Sequence, residues 1–359
     1  MSTVAEPIAV ASESTLPSRR SSAWQAIRMP IASILIAIVA SGLLLLVAGY
    51  DPLTALRYFL LENFTSGKAF EQVLVTATPL LILAISVIVA FRAGIVNIGQ
   101  EGQMYVGACA GAVIALQLTS LPGPAIIIVA IAAAMIAAAV WAGVMGALRA
   151  YLGVNEIVTS LMLDYVAVLL TQYAVQTWFK APGFSIATET LPEKVWWPVL
   201  PGMESLTWAV APAILLCAGA WVLLFRTRVG LRMRASGVSP RFAEAIGTSP
   251  RRVMLVAALA SGMIAGIAGI NIVLGAQHQF LQGFSPGYGW AGLAVALLAR
   301  LNPIGAVVMA LLYAAMLNGS GSLQIFTEVP AEFVNIVIGL VVLLVTAQWS
   351  RAGSRRTAD

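Results

Sequence analysis

Apolar residues fall into ten runs along the chain, at 30–49, 73–91, 96–118, 123–148, 156–178, 206–225, 253–274, 287–300, 303–322 and 331–349. A helix needs roughly 20 apolar residues to cross a bilayer core, and several of these runs are shorter. The weakest, 287–300, follows the segment GFSPGYGWAG, whose glycines and proline predict a broken or re-entrant helix protected inside a bundle. Between the sixth and seventh runs lies the one long polar and basic stretch, RTRVGLRMRASGVSPRFAEAIGTSPRR at 226–252. It holds seven arginines against Glu244. Ser239 is a good N-cap, Pro240 suits the first helical position and Gly247 is a natural stop, so the pattern predicts a short helix over 241–246. Phe242 and Ile246, four residues apart, give it an apolar side that would suit a partner's groove. An ordinary arginine-rich anchoring loop explains the same charge without a partner.

Orientation follows from counting Lys and Arg at the two ends of ten spans with both termini inside. Arg19, Arg20, Arg28, Arg92, Arg149, the seven loop arginines, Arg300, Arg351, Arg355 and Arg356 then fall inside; Arg57, Lys68, Lys180 and Lys194 fall outside. Basic residues are retained on the cytoplasmic side, so this asymmetry fixes the topology. Trp178, Trp196, Trp197, Trp208 and Trp290 gather at the outer interface, with Trp24 and Trp349 at the inner one, as anchors. The domain plan is a disordered cytoplasmic tail at 1–28, a transmembrane domain at 29–350 with external loops at 51–72 and 179–204, and a second tail at 351–359. A cleaved signal peptide competes for the N-terminus, but twenty-nine residues precede the first apolar run, which favours an uncleaved helix. The 179–204 loop, rich in proline and carrying Trp196 and Trp197, is expected to be ordered and to meet an external partner.

Composition agrees with an all-α, polytopic membrane protein: of 359 residues, 60% are hydrophobic and 10% charged. The net charge of +5 needs no nucleic acid, because the positive-inside bias accounts for it. Cys109 and Cys217 lie in apolar runs without a C-x-x-C, and read as buried, inert thiols. No metal or cofactor is expected, and His278 has no Cys or acid at ligand spacing. A P-loop is absent, since the only Gly-Lys, at 67–68, is followed by Ala69.

Polar residues inside the apolar runs are the candidate chemistry. Asn97, Gln100, Glu101 and Gln103 open the third run, among Gly94, Gly99, Gly102 and Gly107. Polar groups at such depth are expensive and usually face a pathway or the protein interior. The glycines equally permit a packing role. In the fifth run, Glu156 sits where a carboxylate complements a helix N-terminus, whereas Asp164, about two turns further in, needs a polar interior or a partner that the sequence does not name.

Four motifs, FRAGIVNIGQEGQM, LGVNEIVTSLMLDYVA, GLRMRASGVSPRFAEAIG and GYGWAGLAVALLARLNPIG, together resemble the permeases of bacterial ATP-binding-cassette importers of the branched-chain amino acid, ribose and simple-sugar superfamily, and most of all those of nucleoside importers served by a basic-membrane-protein lipoprotein receptor. The motifs run from Phe91 to Gly305 and occur in order. The resemblance implies a bundle of about ten helices built from inverted repeats in the inner cell membrane, a second permease subunit forming a heterodimer, a cytoplasmic ATPase and an external substrate-binding lipoprotein. It implies that Ser239, Pro240, Arg241, Phe242, Ala243, Glu244, Ala245, Ile246 and Gly247 form the coupling helix that docks in the ATPase. The pathway residues it implies are Asn97, Glu101, Gln103 and Asn155, with Asp164 standing where similar permeases carry Asn. The chain would then be no enzyme itself and would move a nucleoside by alternating access. A ribose-like sugar is the alternative cargo. An ion-coupled secondary transporter using Glu101 and Asp164 as carriers is the rival from another class.

Overall fold

The computed structural model describes residues 39–327 except 41, 44 and 48, together with 336, 339 and 340. Both expected tails, most of the runs at 30–49 and 331–349, Trp24, Trp349 and the arginines at 19, 20, 28, 351, 355 and 356 lie outside the described residues.

All eight interior apolar runs become helices. After the short α1 (Pro52–Leu56) come α2 (Gly67–Arg92), α3 (Gln100–Gln117), α4 (Gly123–Leu152), α5 (Glu156–Ala174), α6 (Val210–Arg226), α7 (Arg228–Val238), α8 (Pro240–Ala245), α9 (Pro250–Ile272), α10 (Tyr288–Leu298) and α11 (Pro303–Thr327). Their starts are set by local chemistry. Asp51 accepts from Leu53 N–H at 3.0 Å to begin α1, and Ser66 accepts from Ala69 N–H at 3.1 Å to begin α2. The external loop expected at 51–72 is therefore largely helical.

Five described helices are long and apolar enough to cross a membrane: α2, α4, α5 and α9 with their one-turn π extensions to Phe179 and Gln277, and α11 over Pro303–Gly321. A sixth would join α6 to α7, but the two are bent by 74° and α7 carries Arg228, Arg232 and Arg234. Charges of that density belong at the membrane surface, so α6 crosses and α7 lies along the arginine-rich end. The remaining expected spans, α3 and α10, have 18 and 11 residues. Their missing length is supplied by irregular backbone at 93–99 and 278–287, which a bilayer tolerates only where protein surrounds it.

The bundle is organised around α9, which packs against α4, α3 and α2. A Cβ at Gly262 would stand 2.6 Å from that of Ala142, and one at Gly266 would stand 2.8 Å from that of Ala138. The helices thus touch backbone to backbone, the small-residue packing that substitutes in lipid for a hydrophobic driving force. Outward, α4 and α5 present Ile128, Ile136, Val140, Met162, Tyr165 and Leu169, all exposed.

Arg92, Arg149, Arg226, Arg228, Arg232, Arg234, Arg241, Arg251, Arg252 and Arg300 lie at the helix ends on one side, while Arg57, Lys68, Lys180 and Lys194 lie toward the other. The positive-inside bias makes the first side cytoplasmic.

Candidate functional site

The cytoplasmic half of the bundle contains a buried polar core. After α2 the chain turns at Gly94 (φ +84°) and runs extended back into the bundle, which places Asn97 before the start of α3. Asn97 and Gln103 exchange two hydrogen bonds of 3.0 and 3.1 Å between their amides, and Asn97 also donates to Ser261 Oγ of α9 at 3.0 Å. Ser261 continues the network to Ser86 of α2 at 2.9 Å. From α5, Ser160 Oγ accepts from Ile98 N–H at 3.3 Å. Paired in this way, polar groups cost little to bury and fix the helices to one another.

The two buried acids accept at the starts of helices whose own N-cap residues are glycines. The N-cap of α3 is Gly99, with no side chain to offer, and the Asp164 carboxylate of α5 accepts instead from the backbone N–H of Gly102. The N-cap of α10 is Gly287, and there the Glu101 carboxylate accepts from Gly289 N–H at 2.5 Å. Helix N-termini carry orphan donors and partial positive charge, so a carboxylate supplied by a neighbouring helix satisfies both at once. Thus α5 caps α3, and α3 caps α10.

The structure therefore brings Asn97, Glu101, Gln103 and Asp164 together around the start of α3. Asn155 lies apart: exposed, it caps α5 by accepting from Ile157 N–H at 3.0 Å. Glu156 beside it pairs with Arg149 at 3.0 Å.

At the cytoplasmic surface the 226–252 stretch is more ordered than its sequence pattern suggested. Expected as a loop with a single short helix, it also contains α7, begun by Thr227, whose Oγ1 accepts from Gly230 N–H at 3.1 Å. α8 follows, with Ser239 accepting from Phe242 N–H at 3.3 Å, Pro240 at its first position and Gly247 (φ +75°) after it. Ala243 is fully buried, while Arg241, Phe242 and Ile246 are exposed. The end of α7 rests on the turn that leads into the polar core: a Cβ on Gly94 would lie 2.8 Å from Gly237 Cα. Arg92, over the Phe225 ring, donates to Leu301 carbonyl at 2.9 Å and ties the same corner to the turn before α11.

The outer end is held by a residue the sequence pattern did not single out. Glu71 of α2 is buried, and one of its oxygens accepts from Glu204 N–H (2.8 Å), Leu206 N–H (2.6 Å), the Ser205 hydroxyl (3.1 Å) and Ser205 N–H. The 179–204 loop is ordered. Trp196 stacks on His278 with centroids 3.9 Å apart and, like Trp197, packs against the core, so these two act inside the protein rather than as interfacial anchors. Both cysteines are free and buried. Among the described residues no group of His, Cys, Asp or Glu could hold a metal.

Spanning helices, short helices entering from irregular buried backbone and a basic surface helix pair together define a membrane permease subunit. The chain belongs to the family described as the branched-chain amino acid transport system permease component, whose pattern matches residues 69–346. It is 34% identical to the glucose ABC transporter permease protein of Haloferax volcanii, over 93% of this chain and 90% of that one. It is 29% identical to a guanosine ABC transporter permease protein of Bacillus subtilis (90% and 93%) and 24% identical to a nucleoside ABC transporter permease protein of Lactococcus lactis (89% and 91%). The protein is accordingly a multi-pass integral membrane permease subunit of an ABC transporter and no enzyme: ATP is hydrolysed by a separate ATPase, and the family works with a substrate-binding protein.

Proposed function

We propose that this chain imports a nucleoside as one half of a heterodimeric permease, and that α8, with its flanking residues Ser239 and Gly247, is the element through which the ATPase drives it. The observation that carries the reading is the form of α8. A six-residue helix is too short to be stable alone, yet this one is fixed by Ser239, Pro240 and buried Ala243 while it turns Phe242 and Ile246 outward among arginines. An apolar pair held out on a charged surface suits a groove on a partner protein. Movement of α8 and α7 would be felt at Gly94 and, through Asn97, at the start of α3. Alternating access then consists of tilting short helices whose starts are held by Asp164 and Glu101.

Guanosine and nucleoside permeases among the relatives favour a nucleoside, while the 34% identity to a glucose permease favours a second reading, a simple sugar. The caps found for Glu101 and Asp164 account for both acids without an ion-carrying role. The test is uptake into proteoliposomes holding the chain with its partner permease, ATPase and receptor. Labelled guanosine should accumulate only with internal ATP, and glucose more slowly. Uptake driven by a proton or sodium gradient without the ATPase would overturn the reading.

A further inference from the structure

On the outer side, α2, the start of α6, the end of α9 and the first residue of α10 enclose a cavity of about 200 Å³. Its wall carries hydroxyl and amide groups from Thr76, Thr207, Asn271, Gln277 and Tyr288, alternating with apolar surface from Pro79, Leu206 and Ile272, and no charged residue lines it. Asn271 is the key group. Its side-chain amide is 96% buried (4% exposed), its Nδ2 donates to Ala209 carbonyl at 2.9 Å, and its Oδ1 has no partner among the described residues. A buried amide oxygen without a donor is uncommon and costs on the order of 1–3 kcal/mol. Nearby, Trp197 packs against Gly275 of the wall, and its buried Nε1 is likewise unpartnered.

We propose that this cavity binds one uncharged, hydroxyl-rich ring, a furanose or a pyranose, with Asn271 Oδ1 accepting from a ring hydroxyl. The volume is below the roughly 300–1,000 Å³ of pockets that enclose drug-sized ligands, so the cavity takes one ring, and a nucleoside would seat its sugar there with the base left outside. Sugar rings combine apolar C–H faces with polar edges, which is the alternation of this wall. The lack of charge selects against phosphorylated sugars. The floor of the cavity is Tyr288, whose neighbour Gly289 is held by Glu101, so the ring would sit directly above the capped start of α10.

This site rests on the permease reading above, and the experiment separates the two. In a chain carrying Cys109→Ala and Cys217→Ala, a reporter thiol is introduced by Ala276→Cys, an exposed position of the cavity wall. The assembled importer in proteoliposomes is then labelled from outside with a membrane-impermeant thiosulfonate. D-ribose, D-glucose and guanosine should each slow labelling, whereas hypoxanthine and ribose 5-phosphate should not; whether ribose or glucose protects at the lower concentration tells which ring the site takes. Adding Asn271→Leu, which removes the unpartnered oxygen without adding charge, should raise the protecting concentration about tenfold, the equivalent of one hydrogen bond. Thr207→Val should act in the same direction if the leucine variant does not assemble. Equal labelling with and without sugars, protection by hypoxanthine alone, or protection unaffected by both variants would overturn the site. ATP-dependent guanosine uptake persisting in that case leaves the importer reading standing.

Discussion

Glu101 of α3 and Gly289 of α10, far apart in sequence, meet through a 2.5 Å hydrogen bond from a backbone N–H to a carboxylate. The contact joins the starts of two short helices inside the membrane, where no water is available to satisfy either one. What the bond requires is an acceptor; nothing in the geometry requires a proton to move.

Glu101→Gln should therefore keep uptake near the level of the parent, because the amide oxygen still accepts from Gly289. Glu101→Leu should leave a buried N–H unpaired, lowering stability by about 1–3 kcal/mol and cutting uptake sharply. Thermal unfolding in detergent and uptake in vesicles check both. Equal damage from the two substitutions would point to a carrier rather than a cap.

The same logic applies to Asp164, which caps α3 through Gly102. Asp164→Asn should fold and transport, and Asp164→Leu should lose stability by a similar amount, read by the same unfolding assay.

At the cytoplasmic corner, Gly94→Ala would force a side chain into φ +84° and against Gly237 Cα at 2.8 Å. The strain is about 1–3 kcal/mol, and α7 must move away. Membrane content should be retained while ATP-dependent uptake falls severalfold. Gly219→Ala, in α6 with open space around it, should change neither and serves as the control.

On the outer surface, Glu71→Leu should release the 204–206 segment, raising cleavage after Glu204 by an externally added glutamate-specific protease severalfold. Lys68→Ala, which removes only the exposed 2.7 Å ion pair to Glu204, should leave the cleavage rate nearly unchanged, since such pairs contribute about 0–1 kcal/mol.

Helix positions were legible because long apolar runs have few alternatives in a membrane, and the start of α8 because Ser239, Pro240 and Gly247 are strong local signals. α7 was missed for the opposite reason: its arginines hide the period on which Gly230, Met233 and Ser236 are buried, and Thr227 is a modest cap signal. The pattern around residue 100 marked Asn97, Glu101, Gln103 and Asp164 as buried polar groups, but apart from the local Asn97–Gln103 pair their partners are distant in sequence: Ser261, Gly289 and Gly102 of a neighbouring helix. Nothing in periodicity reports such pairings. Glu71 went unremarked because an acid near a helix start looks like ordinary surface, and only the fold brings three backbone donors to it. Trp196 and Trp197 were misassigned because aromatic belts and buried loop anchors look alike in sequence.

α8 is the proposed point at which the ATPase engages. Arg241→Glu reverses the charge beside Phe242, and Ala245→Pro, at the last residue of α8, removes a backbone donor and disfavours the helical conformation of Glu244 before it, which breaks the final turn of a six-residue helix. In a pull-down from solubilised membranes, both variants should be present at the parent's level yet retain less than a tenth of the ATPase. Parent-level ATPase on both would contradict coupling through this helix.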